Sequence, residues 1–349
     1  MSQGRGPEAP RFPLWLIHPL GPVFRHLPLA LRRHLLYVRH HRRWGNFKNP
    51  ERYTEKIHWR VLNDRREMIA LACDKLASKA YIRAIAQNDP RLRTLRIPAV
   101  LWTSDRAESL GNFLRRTDIS VVVKPNHSSG RYAFISTRDR SDALEGIDAL
   151  VSHWLRRDEE TEVLGHWGYG EARIGVFAEE RVGGDGSRLV EIRCAAFAGK
   201  PDSFVVTTDV YTRMQTTEAY NADFTRMRIG FPTEIPIDRP GALASLSEAR
   251  KEELRGIVSA ISAPYDHVRV DIYDDGAQFW FGELTVYPSG GALSYTEDVE
   301  RARGKLWQLP SANEVAASQR RQNLPADVWL RERDQTLHAS AAALAAING

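Results

Sequence analysis

Three charged residues in the last third of the chain have the types and the spacing of a site for a metal ion and a phosphate. They are Arg269, Asp271 and Glu283, in the segment HVRVDIYDDGAQFWFGELTVYPSGG. The apolar residues of this segment alternate, which predicts two β-strands joined by a turn. Alternate side chains of a strand share a face, so the length of the turn decides whether the two carboxylates meet.

The turn between the two strands has several plausible lengths. A two-residue turn at 275–276 would place Asp271 and Glu283 on opposite faces of the hairpin. A three-residue loop over 275–277, or a β-bulge, would place them on the same face, and bulges are common beside active sites. We predict that loop or a bulge, because two carboxylates beside Arg269 suit Mg²⁺ that bridges nucleotide phosphates. On this segment alone, a half-exposed hairpin in which Arg269 pairs with an acid is an equally good interpretation.

A second candidate site is a phosphate-binding loop. Lys124 follows the apolar run Val121–Val123 and precedes the small residues of Asn126–Gly130. Backbone N–H groups of Ser and Gly in such a loop could surround phosphate oxygens. The Walker A pattern is absent, and an ordinary β-turn is the simpler interpretation of the loop alone.

Further basic residues stand at positions that could serve the same chemistry. Lys75 and Lys79 are four residues apart, on one face of a helix that Asp74 is expected to begin. For these two lysines a solvated charged face is the simpler interpretation. Arg193 lies in an otherwise apolar strand, IRCAAF. A buried arginine requires an anion nearby, so Arg193 is the stronger candidate.

The elements that must position these residues are helices interleaved with hairpins. We predict helices over 49–63, 66–73, 75–87, 141–156, 247–262 and 326–347. We predict single strands over 96–102 and 174–182, and hairpins over 119–136, 189–208 and 268–286. Helices that alternate with antiparallel hairpins are typical of the α+β class.

Composition excludes several classes of protein. The 349 residues are 42% hydrophobic and 27% charged, which is typical of globular proteins rather than of disordered, collagen-like or coiled-coil chains. The two cysteines, Cys73 and Cys194, have neither CxxC nor zinc-site spacing. We therefore expect a reducing, cytoplasmic location. The sequence shows no secretory leader and no apolar run of about 18 residues that would span a membrane.

The positive charge of the chain is concentrated at its beginning. Residues 1–50 carry nine Lys and Arg against a single acid, Glu8, although the whole chain has a net charge of only +5. Such a local charge argues against a protein that coats nucleic acid. Residues 12–44 mix apolar residues with four prolines, and we interpret them as a helical cap on the main body. Contact with anionic lipid or with a partner protein is the alternative.

Several segments together resemble one known family. In chain order they are FKNPERYTEKIHW, Asp74-Lys75, VVVKPNHSSG, FAEERV, EIRCAAFAGKP, VRVDIY and FGELTVYPSGG. From about residue 46 to residue 308, the sequence resembles the TupA-like family of the ATP-grasp superfamily, named for teichuronopeptide biosynthesis. The resemblance implies an ATP-grasp fold, in which two α+β subdomains grip ATP. It implies a basic helical extension over 1–73, a first part over 74–182, a second part over 183–310 and a helical tail over 311–349.

The resemblance also implies ATP and Mg²⁺ as cofactors and a role for each site residue. The first part would contain a phosphate lid over 119–136 and an adenine-binding hinge over 174–182, and the second part would contain the metal site. Lys75 and Lys124 would contact the phosphates, and Ser128, Ser129 and Gly130 would close over them. Glu179, Glu180 and Val182 would line the adenine pocket, largely through backbone. Arg193 and Arg269 would neutralise the transferred phosphoryl group.

The resemblance assigns the metal to Asp271 and Glu283. Thr285 stands where many ATP-grasp enzymes have a second metal ligand, Asn. Asp185 is available for a ribose contact, although Gly-Asp-Gly is more often only a turn. We expect the acceptor pocket near Arg213, Tyr287 and Ser289, together with Tyr220 and Asp223. Arg213 could hold a carboxylate, or it could be a surface arginine in a long loop.

The activity implied is that of an ATP-dependent carboxylate–amine ligase, which forms an amide through an acyl phosphate. Its substrates would be small molecules, in the biosynthesis of a cell-surface glycan or a specialised metabolite, with no role for nucleic acid. A kinase that phosphorylates a hydroxyl group would use the same site. A non-catalytic adaptor that binds a membrane or a partner through residues 12–44 is a third possibility. The sequence does not indicate an oligomeric state.

Overall fold

Two antiparallel β-sheets, each covered by helices on one face, make up the core of the protein. The computed structural model describes residues 21–105, 110–116, 120–136, 146–156, 160–183, 189–210, 214–228, 241–311 and 313–315. Helices and antiparallel strands alternate along this part of the chain, which confirms the predicted α+β class. The helical tail predicted over 326–347 lies outside the described residues.

Ten α-helices are present in the described part of the chain. They are α1 (Gly21–His26), α2 (Leu29–His41), α3 (Tyr53–Asn63), α4 (Glu67–Cys73), α5 (Lys75–Ala86), α6 (Leu110–Arg116), α7 (Ile147–Trp154), α8 (Trp167–Glu171), α9 (Glu248–Ser262) and α10 (Glu297–Leu306). Short 3₁₀ turns at Pro90–Leu92 and Pro288–Gly291 and a π-helical turn at Glu160–Leu164 link them to their neighbours.

Helix starts follow from local side-chain chemistry. Asp74 begins α5 as predicted, since its carboxylate accepts the N–H of Ala77 at 2.8 Å. Helix α3 begins at Tyr53, four residues after the predicted start at Asn49. The carboxylate of Glu55 accepts the N–H groups of Glu51 and Arg52 at 3.2 and 3.1 Å, which holds the preceding residues outside the helix.

The smaller sheet has four strands in the order β1-β4-β2-β3. The strands are β1 (Val100–Ser104), β2 (Val121–Pro125), β3 (Ala133–Ile135) and β4 (Val176–Glu180). The predicted hairpin over 119–136 is confirmed, with Val121 opposite Ile135. One face of this sheet is apolar and packs under α6 and α7. The opposite face carries Lys124 and Glu179, which are diagonal neighbours because Lys124 pairs with Phe177.

The larger sheet has six strands in the order β10-β9-β5-β6-β7-β8. The strands are β5 (Val190–Phe197), β6 (Lys200–Thr208), β7 (Thr216–Asn221), β8 (Arg226–Met227), β9 (Val268–Asp274) and β10 (Phe279–Thr285). Ile192, Cys194, Val270 and Ile272 are fully buried on one face, where α9 covers them. This apolar face is the main core, and it leaves the polar residues of the same strands on the opposite face.

The basic N-terminal segment packs on the body of the protein where it is described. Arg33 of α2 is fully buried, and Arg32 donates to the carbonyl oxygens of Glu162 and Val163, each at 2.7 Å. These contacts agree with the interpretation of a helical cap. Val23, Leu31, Leu35 and Trp44 remain exposed on it.

Candidate active site

The two carboxylates of the last hairpin lie directly opposite one another. Asp271 of β9 pairs with Glu283 of β10, while Ile272 pairs with Phe281, so Gly282 is an extra residue in the second strand. The predicted bulge is therefore confirmed. The three-residue loop is wrong, because Asp274 pairs with Phe279 and leaves four residues between the strands.

The longer loop has a local cause in Asp275. Its carboxylate accepts the N–H groups of Ala277 and Gln278 at 2.8 and 2.7 Å. These side-chain to backbone hydrogen bonds close a tight Asx-type turn. Gly276 adopts a φ of +89° inside this turn, a conformation that glycine supplies at low cost. An Asp followed by Gly was visible in the sequence, but the sequence did not decide between loop lengths.

Gly282 has no room for a side chain. A Cβ atom at this position would lie 2.8 Å from the carbonyl oxygen of Asp271. The bulge therefore depends on glycine, which lets the two backbones approach closely. As a result, Glu283 points to the same face as Asp271 instead of into the apolar core.

Charged residues from three strands form a row on the open face of the larger sheet. Arg193 of β5 pairs with Asp271, which in turn pairs with Glu283. Arg269 grips Asp271 with two hydrogen bonds, from Nε at 2.7 Å and from Nη2 at 2.6 Å. The same Nη2 is 3.5 Å from Oε1 of Glu283. Arg193 donates to the hydroxyl of Thr207 at 2.9 Å.

The electrostatics of this row favour a bound cation. Asp271 is only 2% exposed. Burial raises the pKa of Asp271 against the opposing effect of Arg269, and the carboxylates of Glu283 and Glu191 raise it further. Glu191 is also 3.5 Å from Nε of Arg193, so three carboxylates share two guanidinium groups. A divalent cation would neutralise the surplus negative charge.

The oxygen donors of this row fit Mg²⁺ in a nucleotide site. Such sites hold the ion with one or two carboxylates and complete its shell with phosphate oxygens and water. Asp271 and Glu283 provide two carboxylates on one face. Thr285 pairs with Arg269 in the next row and presents a hydroxyl on the same face. Within the described ranges, no group of three or more His, Cys, Asp or Glu side chains has the arrangement of a self-sufficient metal site.

The smaller sheet and helix α5 together contribute a buried group of two lysines and one glutamate. Glu179, only 3% exposed, accepts from Lys124 at 2.5 Å and pairs with Lys79 at 2.8 Å. Lys79 is 2% exposed, so its interpretation as part of a solvated face is wrong. The signal available in the sequence was its spacing of four residues from Lys75. That spacing places Lys79 on the same helix face as Lys75, but it does not reveal which segment packs against that face.

The charge states in this group follow from its contacts. Burial alone would raise the pKa of Glu179, but Lys124 and Lys79 outweigh it and lower the pKa to about 2. Burial lowers the pKa of Lys79. The pKa of Lys124 is raised, because Glu179 outweighs the effect of burial, and Glu283 and Glu191 of the larger sheet act in the same direction. Lys124 therefore faces the carboxylates of the opposite sheet.

Lys75 bridges the loop Asn126–Gly130 and the larger sheet. Its ammonium group donates to the carbonyl oxygen of Ser128 and lies 3.9 Å from Oε2 of Glu283. Asn126 fixes the loop to the start of α5, since its side-chain oxygen accepts the N–H of Leu76 at 2.9 Å. Ser128 is buried, and its hydroxyl has no hydrogen-bond partner in the part of the chain that the structure describes.

The loop Asn126–Gly130 is most exposed to solvent at its last residue. Ser129 is half-buried, whereas Gly130 is exposed and adopts a φ of +65° with no atom within 4 Å of a Cβ placed there. The loop therefore presents small residues between Lys124, which precedes it in the chain, and Lys75, which donates to it. Lysines from α5 and β2 face the carboxylate row of β9 and β10 across one site.

Comparison with known proteins identifies the family. A family model described as TupA-like ATPgrasp matches residues 55–306, which is more than half of the chain. The chain belongs to the TupA-like ATP-grasp family. It therefore has the ATP-grasp fold that the sequence resemblance implied. None of the curated proteins compared with this chain matches it.

Solved structures of ATP-grasp ligases are similar to this TupA-like chain at low identity. The ligase PsnB in complex with a minimal precursor is 13% identical, with 72% of this chain and 62% of that chain covered and a TM-score of 0.33. D-Alanine-D-alanine ligase from Helicobacter pylori is 15% identical, with 71% and 64% covered and a TM-score of 0.39. L-Amino acid ligase from Bacillus licheniformis is 17% identical, with 69% and 51% covered and a TM-score of 0.37. The TupA-like chain thus spans less than two thirds of the length of each.

The hinge segment of the TupA-like chain makes side-chain contacts as well as backbone ones. Glu179 forms the ion pairs described above, whereas the sequence predicted a contribution mainly through its backbone. Glu180 accepts the N–H of Ala99 at 2.7 Å and donates its own N–H to the oxygen of Ala99 at 3.0 Å. Val182 is half-buried at the end of the segment. The adenine pocket stays a prediction.

The residues predicted for the acceptor pocket are dispersed. Tyr287 is buried, stacks on His166 at 4.8 Å between ring centroids, and accepts the N–H of Gly168 at 3.3 Å. Ser289 lies in the turn Pro288–Gly291 with a φ of +49°.

Tyr220 is on the core face of the larger sheet, so its predicted place beside the acceptor is wrong. Asp223 caps the N–H of Thr225 at 2.8 Å. Arg213 and Asp185 lie outside the described residues.

None of the described helices of this TupA-like chain combines the length and the apolar character that crossing a membrane requires.

Proposed function

We propose that the chain is an ATP-dependent carboxylate–amine ligase that releases ADP. The observation that supports it is the opposition of two charge sets across one site. Lys75, which touches the loop of the smaller sheet, is 3.9 Å from Glu283 of the larger sheet. Basic groups on one side and a carboxylate row on the other suit a triphosphate whose far end meets a metal ion.

Each side of the site would make its own contacts with ATP. Lys75, Lys79 and Lys124 would bind phosphate oxygens, and the backbone N–H groups of Ser128, Ser129 and Gly130 would cover them. The buried carboxylate of Glu179 holds Lys79 and Lys124 close together, so less ordering is required when a phosphate arrives. The backbone of Glu180 and Val182 would hold the adenine ring.

The larger sheet would hold the reacting end of the nucleotide. Asp271 and Glu283 would bind Mg²⁺, with Thr285 beside them. When bound, Mg²⁺ would supply neutralisation of the charge on the β- and γ-phosphates. Arg269 orients Asp271 through its two hydrogen bonds and lies close to Glu283. It would therefore be near enough to the metal site to contact the phosphoryl group during its transfer.

The reaction requires no nucleophile from the protein. A carboxylate oxygen of the substrate would attack the γ-phosphorus, and the bond from phosphorus to the β–γ bridging oxygen would break to release ADP. An amine would then attack the carbonyl carbon of the acyl phosphate and lose a proton, and inorganic phosphate would leave as the amide forms. Arg193 and Arg269 would stabilise the negative charge in both steps. The loop Asn126–Gly130 would exclude water, which otherwise hydrolyses the acyl phosphate.

The proposal extends to substrate class through the family. We infer that the acid and the amine are small molecules and that the product belongs to a cell-surface glycan or a specialised metabolite, made in the cytoplasm. The pocket for the amine would lie where β10 ends, near Tyr287 and Ser289, with Arg213 available for a carboxylate.

One incubation tests the activity. The protein is mixed with Mg-ATP and a pool of carboxylic acids and amines, and mass spectrometry looks for a product formed by loss of water between two pool members. The Glu283→Gln variant serves as the blank. ADP release that requires both an acid and an amine supports the ligase. ADP release with a hydroxyl acceptor alone identifies the kinase instead, and the absence of ADP under every condition contradicts both.

A further inference from the structure

Helix α2 grips the turn that follows the metal-site strand. Nη2 of Arg33 donates to the carbonyl oxygen of Gly290 at 2.6 Å. At the other end of the helix, Nε2 of His41 is 2.8 Å from the carbonyl oxygen of Gly291. The turn Pro288–Gly291 begins three residues after Thr285, so its position is coupled to the end of β10. Helix α2 precedes residues 55–306, the part that matches the family.

Arg33 is an unusual buried cation because no carboxylate in the described part of the chain pairs with it. It is 1% exposed, and its remaining donors go to the oxygen of Leu164 at 3.2 Å and to the ring of His58. Burial lowers the pKa of His58 well below its ordinary value, so the ring is neutral and accepts from Arg33. The guanidinium is therefore stabilised by carbonyl dipoles and a neutral ring alone. Its favourable contacts depend on the turn staying where it is.

The turn itself has a backbone that requires support from outside. Ser289, Gly290 and Gly291 adopt φ values of +49°, +61° and +79° in succession. A serine in this region carries a strain of about 1 kcal/mol or more, which persists only where neighbours fix the backbone. The rings of His58 and His166 lie against Gly291 and Gly290, where a Cβ atom would be 2.7 and 3.3 Å away. Two glycines and two histidines thus leave the turn little freedom.

We propose that Arg33 is a positioning residue, which acts through the turn Pro288–Gly291 to set the geometry of the acceptor side of the site. The proposal rests on the proposed ligase function, because it assigns the turn to the acceptor. It gives the N-terminal extension a part in substrate recognition without any contact between Arg33 and the substrate. A displacement of about 1 Å in such a segment is enough to change turnover by about 100-fold.

Arg32 provides a matched control for Arg33. It is the adjacent residue on α2 and also donates to backbone carbonyls, but its partners are Glu162 and Val163 rather than the turn. Arg33→Met and Arg32→Met are therefore compared in the full chain. We expect Arg33→Met to raise the KM for the acceptor about tenfold or more, with the KM for ATP within about twofold of wild type. Arg32→Met should leave both values within about twofold.

A second measurement does not depend on the substrate. Hydrogen–deuterium exchange of the amides over 287–292 should accelerate about tenfold in Arg33→Met and stay unchanged in Arg32→Met. His41→Ala, which removes the weaker grip on Gly291, should act in the same direction to a smaller extent and serves if Arg33→Met does not fold. Arg33→Lys should recover part of the acceptor KM, since an ammonium group can still donate to Gly290.

The outcomes separate this proposal from the proposed function. Unchanged exchange over 287–292 in both Arg33→Met and His41→Ala overturns the proposal. Faster exchange with an unchanged acceptor KM also overturns it, because Arg33 would then be a structural contact only. An equal rise in the KM for ATP and for the acceptor counts against it in the same way. If the wild-type protein forms no amide, the ligase function fails, while the exchange data still decide whether α2 holds the turn.

Discussion

The smaller sheet with helix α5 and the larger sheet contribute opposite charge to the same site. Lys124 of β2 and Lys79 of α5 pair with one carboxylate, that of Glu179, and Lys75 of α5 donates to the loop after β2. On the larger sheet, three carboxylates share the two guanidinium groups of Arg193 and Arg269. The smaller sheet is therefore suited to bind phosphate directly. The row on the larger sheet has one carboxylate more than it has guanidinium groups, so it favours a cation between itself and a phosphate.

The difference assigns separate tasks to the two halves. In the proposed function, direct lysine contacts would provide affinity for the nucleotide, whether or not a metal is bound. The paired carboxylates would provide a site that is complete only when both metal and phosphate arrive. The comparison thus predicts that variants of the smaller sheet reduce binding, and that variants of the larger sheet reduce turnover while binding persists.

The largest effect is expected from Glu283→Gln. Loss of one metal-binding carboxylate should lower kcat for ADP release about 1,000-fold, because charge on the reacting phosphates is no longer neutralised. Binding of ATP without Mg²⁺, measured by calorimetry, should change little. Glu252→Gln, at an exposed glutamate of α9, is the control and should behave as wild type. Turnover in Glu283→Gln close to that of wild type would contradict the metal assignment.

A smaller effect, on the affinity for ATP rather than on turnover, is expected from Lys124→Ala. The variant removes a charged hydrogen bond to phosphate, so ATP should bind about 10- to 100-fold more weakly both with and without Mg²⁺. Glu179 keeps its ion pair with Lys79 at 2.8 Å, and the fold should survive. Lys200→Ala, at an exposed lysine of β6, is the matched control. An unchanged dissociation constant for ATP would separate Lys124 from the nucleotide site.

Gly282→Ala tests whether the bulge keeps the carboxylate row aligned. The added Cβ would meet the carbonyl oxygen of Asp271 at 2.8 Å, so one backbone must move. We expect the free energy of unfolding to fall by about 2 kcal/mol and turnover to fall with it. Gly256→Ala in α9 is the control, because its Cβ would have no atom closer than 3.7 Å. That change should stabilise the helix by up to about 1 kcal/mol. Equal thermal stability of the two variants would exclude a tight bulge.

A pH dependence of stability is expected from Glu179 of the smaller sheet. The pKa of Glu179 is lowered to about 2 in the folded protein, from an ordinary value of 4.5. The unfolded chain therefore binds more protons between these values, and the contribution of Glu179 to stability is present above pH 4.5 and is lost as the pH falls toward 2. The loss is at most about 1.4 kcal/mol per pH unit. Unfolding free energies of wild type and Glu179→Gln should converge over this range, and parallel curves would disprove the buried ion pair.

The sequence predicted those parts of the site that depend on local pattern. Strand alternation and turn parity led to the bulge between Asp271 and Glu283, and the apolar run before Lys124 led to a strand that ends in a loop. Asp74 was predicted as a helix cap because its chemistry involves only the next three residues. Each of these features is set by interactions within a few positions along the chain.

The features that the sequence did not reveal depend on contacts between distant segments. Lys79 is buried beside Glu179, which β4 brings to it from 100 residues later in the chain. Tyr220 was expected beside the acceptor, but its strand pairs with β6 in a register that turns the ring toward the core. The sequence also did not reveal the contact between α2 and the turn after β10, since Arg33 and Gly290 are 257 positions apart. Helix and strand patterns predict which face of an element a residue lies on. Only the tertiary fold determines which residue from another segment contacts it.

The extra residue in β10 has an implication for how this chain tolerates change. Upstream of Gly282, Phe281 faces the core opposite Ile272, and downstream Leu284 faces the core opposite Val270. Removing Gly282 altogether would leave a regular ladder in which Glu283 still meets Asp271. Losing this residue should therefore do less harm than adding one methyl group to it, which reverses the usual ranking of deletions and conservative replacements inside a β-strand.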